Sequence, residues 1–206
     1  MISKTLKHDP YNLIITGVGG QGSVISSKII GNMLSQSGFH ITIGETFGAS
    51  QRGGSVMSHV RISSTKALSP QIPLGKAHMV VSLEPVEALR VLSQFGNSHV
   101  KVICNTQPLH PIGVISGRAG YPSKKKIDKS LKKLSSKVWL FNATGIAMDI
   151  GDPIFANIVM TGALTAAKKL PMDRNNFQKS IESLFTTDKI KQNLVAFDKG
   201  MDMINF

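Results

Sequence analysis

The sequence predicts an α/β fold: a single three-layer αβα domain, residues 1–206, on a mostly parallel or mixed sheet. Three observations predict it. Short apolar runs typical of buried strands alternate with stretches whose apolar residues recur at helical spacing. The first run joins the first helical stretch through a turn made largely of glycine, Gly17-Val18-Gly19-Gly20-Gln21-Gly22. No internal repeat, low-complexity tract or linker divides the chain. A chain of 206 residues can bury roughly 70% of its unfolded surface, so it needs no metal or disulfide staple.

Leu13-Ile14-Ile15-Thr16 reads as a buried strand that ends at Gly17. Over residues 22–37, Ile25, Ile29 and Met33 recur at helical spacing, with Val24, Ile30 and Leu34 beside them, and Gly38 stops the helix. Residues 39–43 form a second strand, so 12–43 predicts a β-α-β unit and a Rossmann-like arrangement. Residues 44–54 are a Gly-rich loop, and 56–62 alternate as a strand. Residues 79–83 are another buried strand, and Pro85 suits the first turn of a helix carrying Val86, Leu89 and Phe95. A strand follows at 99–104. Residues 105–122 are rich in Pro and Gly and read mostly as loop, with a brief strand at 112–115. Ser123 caps a helix whose buried stripe is Ile127, Leu131 and Leu134, with lysines on its other faces. Residues 138–141 form the last strand. After Pro153 comes an Ala-rich helix, apolar nearly all round, expected at the centre of the fold. Asp173 and Asp188 are expected to cap two closing helices, with stripes Phe177/Ile181/Leu184 and Ile190/Leu194/Phe197.

Composition excludes several classes. Apolar residues make up 41% and charged residues 17%, a globular balance. One cysteine cannot supply the four thiolates of an iron–sulfur cluster, nor a disulfide framework. No apolar stretch reaches transmembrane length, and the start MISKTLKHDPYN lacks a secretory h-region, so a cytoplasmic location is expected. The formal net charge of +12 implies attraction to something acidic. Residues 124–137 carry seven lysines and one aspartate, Asp128. Aromatic residues are only 6% and do not interleave with these lysines, which argues against a nucleic-acid partner.

Two stretches carry chemical information. Gly17-Val18-Gly19-Gly20-Gln21-Gly22 matches G-x-G-x-x-G between a strand and a helix, where bare backbone N–H groups at a helix N-terminus attract phosphate. Glu45 stands where a ribose-binding acid could lie. The same glycines also suit a merely tight strand–helix turn, and the motif alone leaves both readings open. Gln51-Arg52-Gly53-Gly54-Ser55 is the second stretch. Its glycines let backbone approach a ligand or partner closely, and its arginine suits a bidentate anion clamp; a solvent-exposed turn is the alternative. Gly151-Asp152-Pro153 lacks the glycine that a thiamine diphosphate motif needs and reads as a helix N-terminus. The histidines show no metal-binding spacing, His59 reads as a polar-face residue, and Cys104 as a buried thiol. No catalytic group and no metal site is identified on this chain.

GVGGQG, GETFGASQRGGSVMSHVRIS, SPQIPLGKAHMVVSLEPVEALR and NIVMTGAL, in this order over nearly the whole chain, carry a family resemblance. Together they resemble the gamma-type subunit of the 2-oxoacid:ferredoxin oxidoreductases. Gln51 before Arg52-Gly53-Gly54, and the Ser-Pro…Ile-Pro…Gly-Lys-Ala run, favour the small (beta) subunits of the indolepyruvate branch. The resemblance implies a part in the oxidative decarboxylation of an aryl 2-oxoacid to an acyl-coenzyme A, with ferredoxin reduced. It implies thiamine diphosphate, magnesium and 4Fe–4S clusters on a large partner subunit, and coenzyme A as co-substrate. It carries over Gly17, Gly19, Gly20, Gln21 and Gly22 as one loop, the candidate cofactor-binding loop. Gln51, Arg52, Gly53, Gly54 and Ser55 form a second, shaping the substrate approach or an interface. On this resemblance Glu45 drops as a ribose ligand. Two features depart from the pattern: Ser26-Ser27-Lys28 in the first helix, where small apolar residues are common, and the lysine load. A self-contained nucleotide-binding oxidoreductase and a basic RNA-binding module are the competing readings.

Overall fold

The computed structural model describes residues 6–48, 53–110 and 112–204. Its centre is the strand β1 (Tyr11–Val18), of which every residue is buried. A strand covered on both faces reads as a continuous apolar run, which is why Leu13-Ile14-Ile15 was so clear a signal. Helix α1 (Ser23–Gln36) follows and stops before Gly38, as expected, and leads into β2 (His40–Phe47). The strand β3 (Ser55–Ser63) runs back antiparallel to β2. Strands β4 (Met79–Ser82), β5 (Lys101–Asn105) and β6 (Lys137–Phe141) continue parallel to β1.

The sheet order is β2-β3-β1-β4-β5-β6, a mixed sheet in an α/β fold. The expected β-α-β unit is present but split. β3 inserts between β1 and β2 and pairs antiparallel with both, Ile14 opposite His59 on one side and Ile43 opposite Val60 on the other. The insertion makes β3 an interior strand and β2 an edge. It also corrects the reading of His59, which is buried: its Nδ1 accepts from the Ile72 N–H at 3.3 Å and its ring meets Phe95 edge-on.

Helices cover both faces. On one lie α2 (Pro85–Phe95) and α4 (Lys124–Leu134), whose Val91, Leu92, Ile127 and Leu131 pack on Ile14, Val80 and Val102. On the other lie α1, α5 (Ala143–Ile150), α6 (Ala156–Ala166), α7 (Arg174–Glu182) and α8 (Thr187–Asp202). The Ala-rich helix is central as expected: all its residues are buried. Its two threonines turn inward onto its own backbone, Thr161 Oγ1 donating to Asn157 O and Thr165 Oγ1 to Thr161 O. Helix α8 crosses it where two glycines bring the backbones together. A Cβ on Gly162 would lie 2.0 Å from Phe197 O, and one on Gly200 1.9 Å from Val159 O.

Ser123 and Asp173 cap α4 and α7 as expected. Other expectations change. Residues 112–115 form a short helix, α3 (Ile112–Ile115), not a strand. Helix α5 is an addition to the expected elements: Ala143, Ile146, Ala147 and Ile150 do recur at helical spacing and face the core, but the pattern spans only eight residues, and an Asn142 cap on Gly145 N–H orders its start. Helix α8 begins at Thr187 with Thr186 at the cap position, so Asp188 lies inside it. Leu134, the last residue of α4, and Leu184, two residues past the end of α7, are exposed rather than part of the buried stripes.

Candidate functional site

The two loops singled out in the sequence meet at the C-terminal end of β1. After Val18 the chain turns through Gly19, Gly20 and Gln21, and Gly22 starts α1 with φ 85, a left-handed backbone that favours glycine. The turn is held from both sides. Gly19 N–H donates to Gly54 O at 2.8 Å, joining the first loop to the second. Gln21 N–H donates to Val18 O at 3.1 Å. Of the second loop, Gly53, Gly54 and Ser55 are described, whereas Gln51 and Arg52 lie outside the described residues. Ser55 Oγ donates to Glu87 Oε2 at 2.5 Å, and Glu87, buried on α2, also pairs with Arg90 at 3.3 Å.

Gln21 closes the gap between β1 and β4. Its Oε1 accepts from Val18 N–H at 2.8 Å, and its Nε2 donates to Leu83 O at 3.1 Å. Leu83 O accepts a second bond from Asn105 Nδ2 at 3.0 Å, and Asn105 Nδ2 also donates to Thr144 Oγ1 at 2.9 Å. A polar chain thus runs along the strand ends from β1 to the start of α5. In an open α/β sheet this gap, where helices leave on opposite faces, is the usual ligand crevice. Here a side chain of the loop spans it. We expect Gln21→Ala to cost about 1–3 kcal/mol, because it strips partners from Val18 N–H. Chemical denaturation of the purified chain measures this, and a change under about 0.5 kcal/mol would show that water replaces the amide.

Gly22 is fixed by a distant element. Asn157, the first residue of the NIVMTGAL stretch, donates from Nδ2 to Gly22 O at 3.3 Å, and a Cβ on Gly22 would come within 2.2 Å of that nitrogen. Ser26 Oγ donates to Asn157 O at 3.4 Å, and Ser27 Oγ to Val24 O at 2.8 Å. Ser26 and Ser27, unusual in composition, are therefore buried and satisfied. In front of the loop lies a hollow of about 360 Å³ lined by Gly19, Gly20, Gly22, Ser23, Lys28 and Phe47. Phe47 is 60% exposed, a large apolar side chain standing beside a glycine-rich turn.

Glu45 sits exposed on β2, which β3 separates from β1. A ribose-binding acid needs to sit at the end of the strand next to β1. The split unit thus removes Glu45 from the loop by a whole strand, and the self-contained nucleotide reading loses its acidic ligand.

The sequence reading missed Glu84, Asn105 and Asn157. Glu84 had a signal, since it directly precedes a proline at the first helical position. Its buried carboxylate caps α2, accepting from Val86 N–H at 2.7 Å and Glu87 N–H at 2.9 Å, and takes a further bond from the Tyr121 hydroxyl. Burial, with that bond, pushes the Tyr121 phenol well above its ordinary range. Cys104 is fully buried, as expected, and its thiol donates to Asn105 O. Burial, then the Glu84 and Asp128 charges, push the thiol far up, so it stays protonated and unreactive. Among the described residues no group of three His, Cys, Asp or Glu could hold a metal ion, and no helix is long and apolar enough to cross a membrane.

Comparison with known proteins decides the family. The model of the family "Pyruvate ferredoxin/flavodoxin oxidoreductase" matches residues 12–203. The chain belongs to that pyruvate ferredoxin/flavodoxin oxidoreductase family. Indolepyruvate oxidoreductase subunit IorB of Archaeoglobus fulgidus is 36% identical over 189 residues, 92% of each chain. IorB of Pyrococcus horikoshii is 34% identical over 192 residues, 93% of this chain and 94% of its own. The fold matches the gamma subunit of a keto/oxoacid ferredoxin oxidoreductase from Geobacter sulfurreducens with a TM-score of 0.69 at 20% identity, covering 94% of this chain and 98% of that one. Both the family and its indolepyruvate branch were thus correctly read from the four sequence motifs. This member of the pyruvate ferredoxin/flavodoxin oxidoreductase family is homologous to subunits of 2-oxoacid oxidoreductases.

Proposed function

We propose that this chain, acting as one domain over residues 1–206, is the small subunit of a cytoplasmic indolepyruvate-type 2-oxoacid:ferredoxin oxidoreductase. The reaction takes an aryl 2-oxoacid, coenzyme A and oxidised ferredoxin to acyl-coenzyme A, carbon dioxide and reduced ferredoxin. The observation that carries this reading is the end-to-end similarity to two IorB subunits at 34–36% identity. The chemistry of the chain fits a supporting part. Its one cysteine is a buried, protonated thiol, which is no cluster ligand. Its buried carboxylates, Glu84 and Glu87, are both engaged within the fold. Thiamine diphosphate, magnesium and the 4Fe–4S clusters accordingly belong to a large partner subunit, and ferredoxin docks on the assembled enzyme.

In this reading the loop Gly17, Gly19, Gly20, Gln21, Gly22 and the loop Gln51, Arg52, Gly53, Gly54, Ser55 face the large subunit and the coenzyme A approach. They meet through the Gly19–Gly54 bond, and exposed Phe47 stands beside them as an apolar anchor. The test is co-expression with the large subunit. A single brown complex that reduces ferredoxin with an aryl 2-oxoacid and coenzyme A is expected, while the isolated chain turns nothing over. In the complex, Arg52→Lys keeps the charge and loses the planar fork. We expect at least tenfold slower turnover at an unchanged melting temperature. Turnover by the isolated chain, or a failure of the two subunits to assemble, would sink this reading.

A further inference from the structure

Opposite the glycine loops, at the N-terminal ends of the parallel strands, five lysines from four separate stretches of chain converge. Lys7 precedes β1, Lys76 precedes β4, Lys101 begins β5, and Lys168 and Lys169 follow α6. They line a hollow of about 760 Å³, within the size range of small-ligand sites, and among the described residues no carboxylate lines it. Among the described residues none of the five is in an ion pair.

The hollow also has a fixed polar wall. His78 Nδ1 accepts the Asn12 N–H at 2.9 Å, which leaves the ring proton on Nε2 as a free donor. The ring is stacked on His8, 4.6 Å between centroids. The His78 carbonyl in turn accepts the Lys101 backbone N–H at 3.1 Å, which holds the two chain segments side by side. The local field is strongly positive. Burial, then His8, Lys101 and Lys76, lower the His78 pKa to about 4. Lys101 is lowered by burial and by Lys169, Lys7 and Lys137. Like charges held together with no counter-charge among the described residues destabilise the fold, and a bound anion would offset that repulsion.

We propose that this hollow binds a small polyphosphate anion. A polyphosphate chain offers several charges in a compact body, which suits point-charge ammonium groups arranged around a concavity. An acidic protein surface would instead suit a convex lysine face such as that of α4, whose Lys125, Lys129 and Lys132 stand exposed. The anion could be inorganic or the phosphate chain of a nucleotide, and the two differ only in whether a base adds affinity.

The test is calorimetric titration of the full chain with inorganic tripolyphosphate and, in a second arm, with ATP. One saturable site is expected. The triple variant Lys76→Gln/Lys101→Gln/Lys169→Gln should weaken it at least tenfold. A variant that removes the same charge elsewhere, Lys125→Gln/Lys129→Gln/Lys132→Gln, should stay within twofold of wild type. Equal affinity for the two ligands means that the phosphate chain alone is read; tighter ATP binding means a nucleotide. Should the triple variant fail to fold, Lys169→Gln alone, at an exposed position, should still weaken binding about threefold. No saturable binding overturns the proposal. So does equal weakening by the α4 variant, which would reduce the effect to net charge. So does a triple variant that binds normally, and one that binds normally but no longer assembles with the large subunit would mark the hollow as a protein contact.

Discussion

Gly162→Ala should destabilise the chain by about 2–3 kcal/mol, although alanine is the better helix former. The propensity gain is about 1 kcal/mol. Against it stands the Cβ position, 2.0 Å from Phe197 O and 2.9 Å from the carbonyl carbon. Backbone cannot rotate away as a flexible side chain can, so α6 and α8 must separate. That loosens the stacked Phe177–Phe197 pair, both fully buried at a 4.0 Å centroid distance, and a clash this close with backbone belongs at or above the upper end of overpacking costs, about 3–4 kcal/mol before the propensity gain. Gly200→Ala meets Val159 O at 1.9 Å and should behave alike. The internal control is Gly20→Ala, where a Cβ meets nothing within 4 Å and only the positive φ of 102 resists. It should cost about 1–2 kcal/mol. Urea unfolding of the three variants, followed by far-ultraviolet circular dichroism, gives the order. Gly162→Ala as stable as wild type would mean that the α6–α8 crossing is looser than described.

Glu84→Ala should cost about 3 kcal/mol. The loss of a side-chain cap accounts for about 1–2 kcal/mol. The rest comes from leaving the half-buried Tyr121 hydroxyl without its acceptor, at about 1–3 kcal/mol for an unsatisfied group. Glu84→Gln keeps one oxygen acceptor and should lose less. Tyr121→Phe removes only the hydroxyl, and a double-mutant cycle between the two positions isolates their coupling. A coupling of at least about 0.5 kcal/mol is expected for groups in direct contact. A value near zero would mean that water serves the hydroxyl equally well.

β1 and β4, and β5 but for its first residue, are readable because they lie buried on both faces, so apolar runs such as Leu13-Ile14-Ile15 and Met79-Val80-Val81 need no periodicity to stand out. Their neighbours are not. Nothing in the residues of β3 says that it pairs with β1 as well as β2, since pairing is decided by chain length and handedness elsewhere. The alternating look of 56–62 even suggested a half-exposed strand, and so misplaced His59. The site was readable as two glycine loops, whose meeting through the Gly19–Gly54 bond only coordinates reveal. Gln21 shows the limit most plainly. Its place in a glycine motif was clear, yet its amide bridging Val18 and Leu83 depends on β4, more than sixty residues away.

The interposed strand has a consequence for the order of folding. β2 and β3 are joined by a short connection and form their ladder from local contacts, Phe47 opposite Val56 at the near end. Both partners of the central strand, β3 and β4, arrive from downstream of it. Local contacts form early and long loops close late. The hairpin is therefore expected to form early, and the pairing of β1 with β4, across more than sixty residues, to form late. On a ribosome the chain would hold β1 unpaired until β3 emerges. The interval is the period in which its apolar run is open to wrong partners.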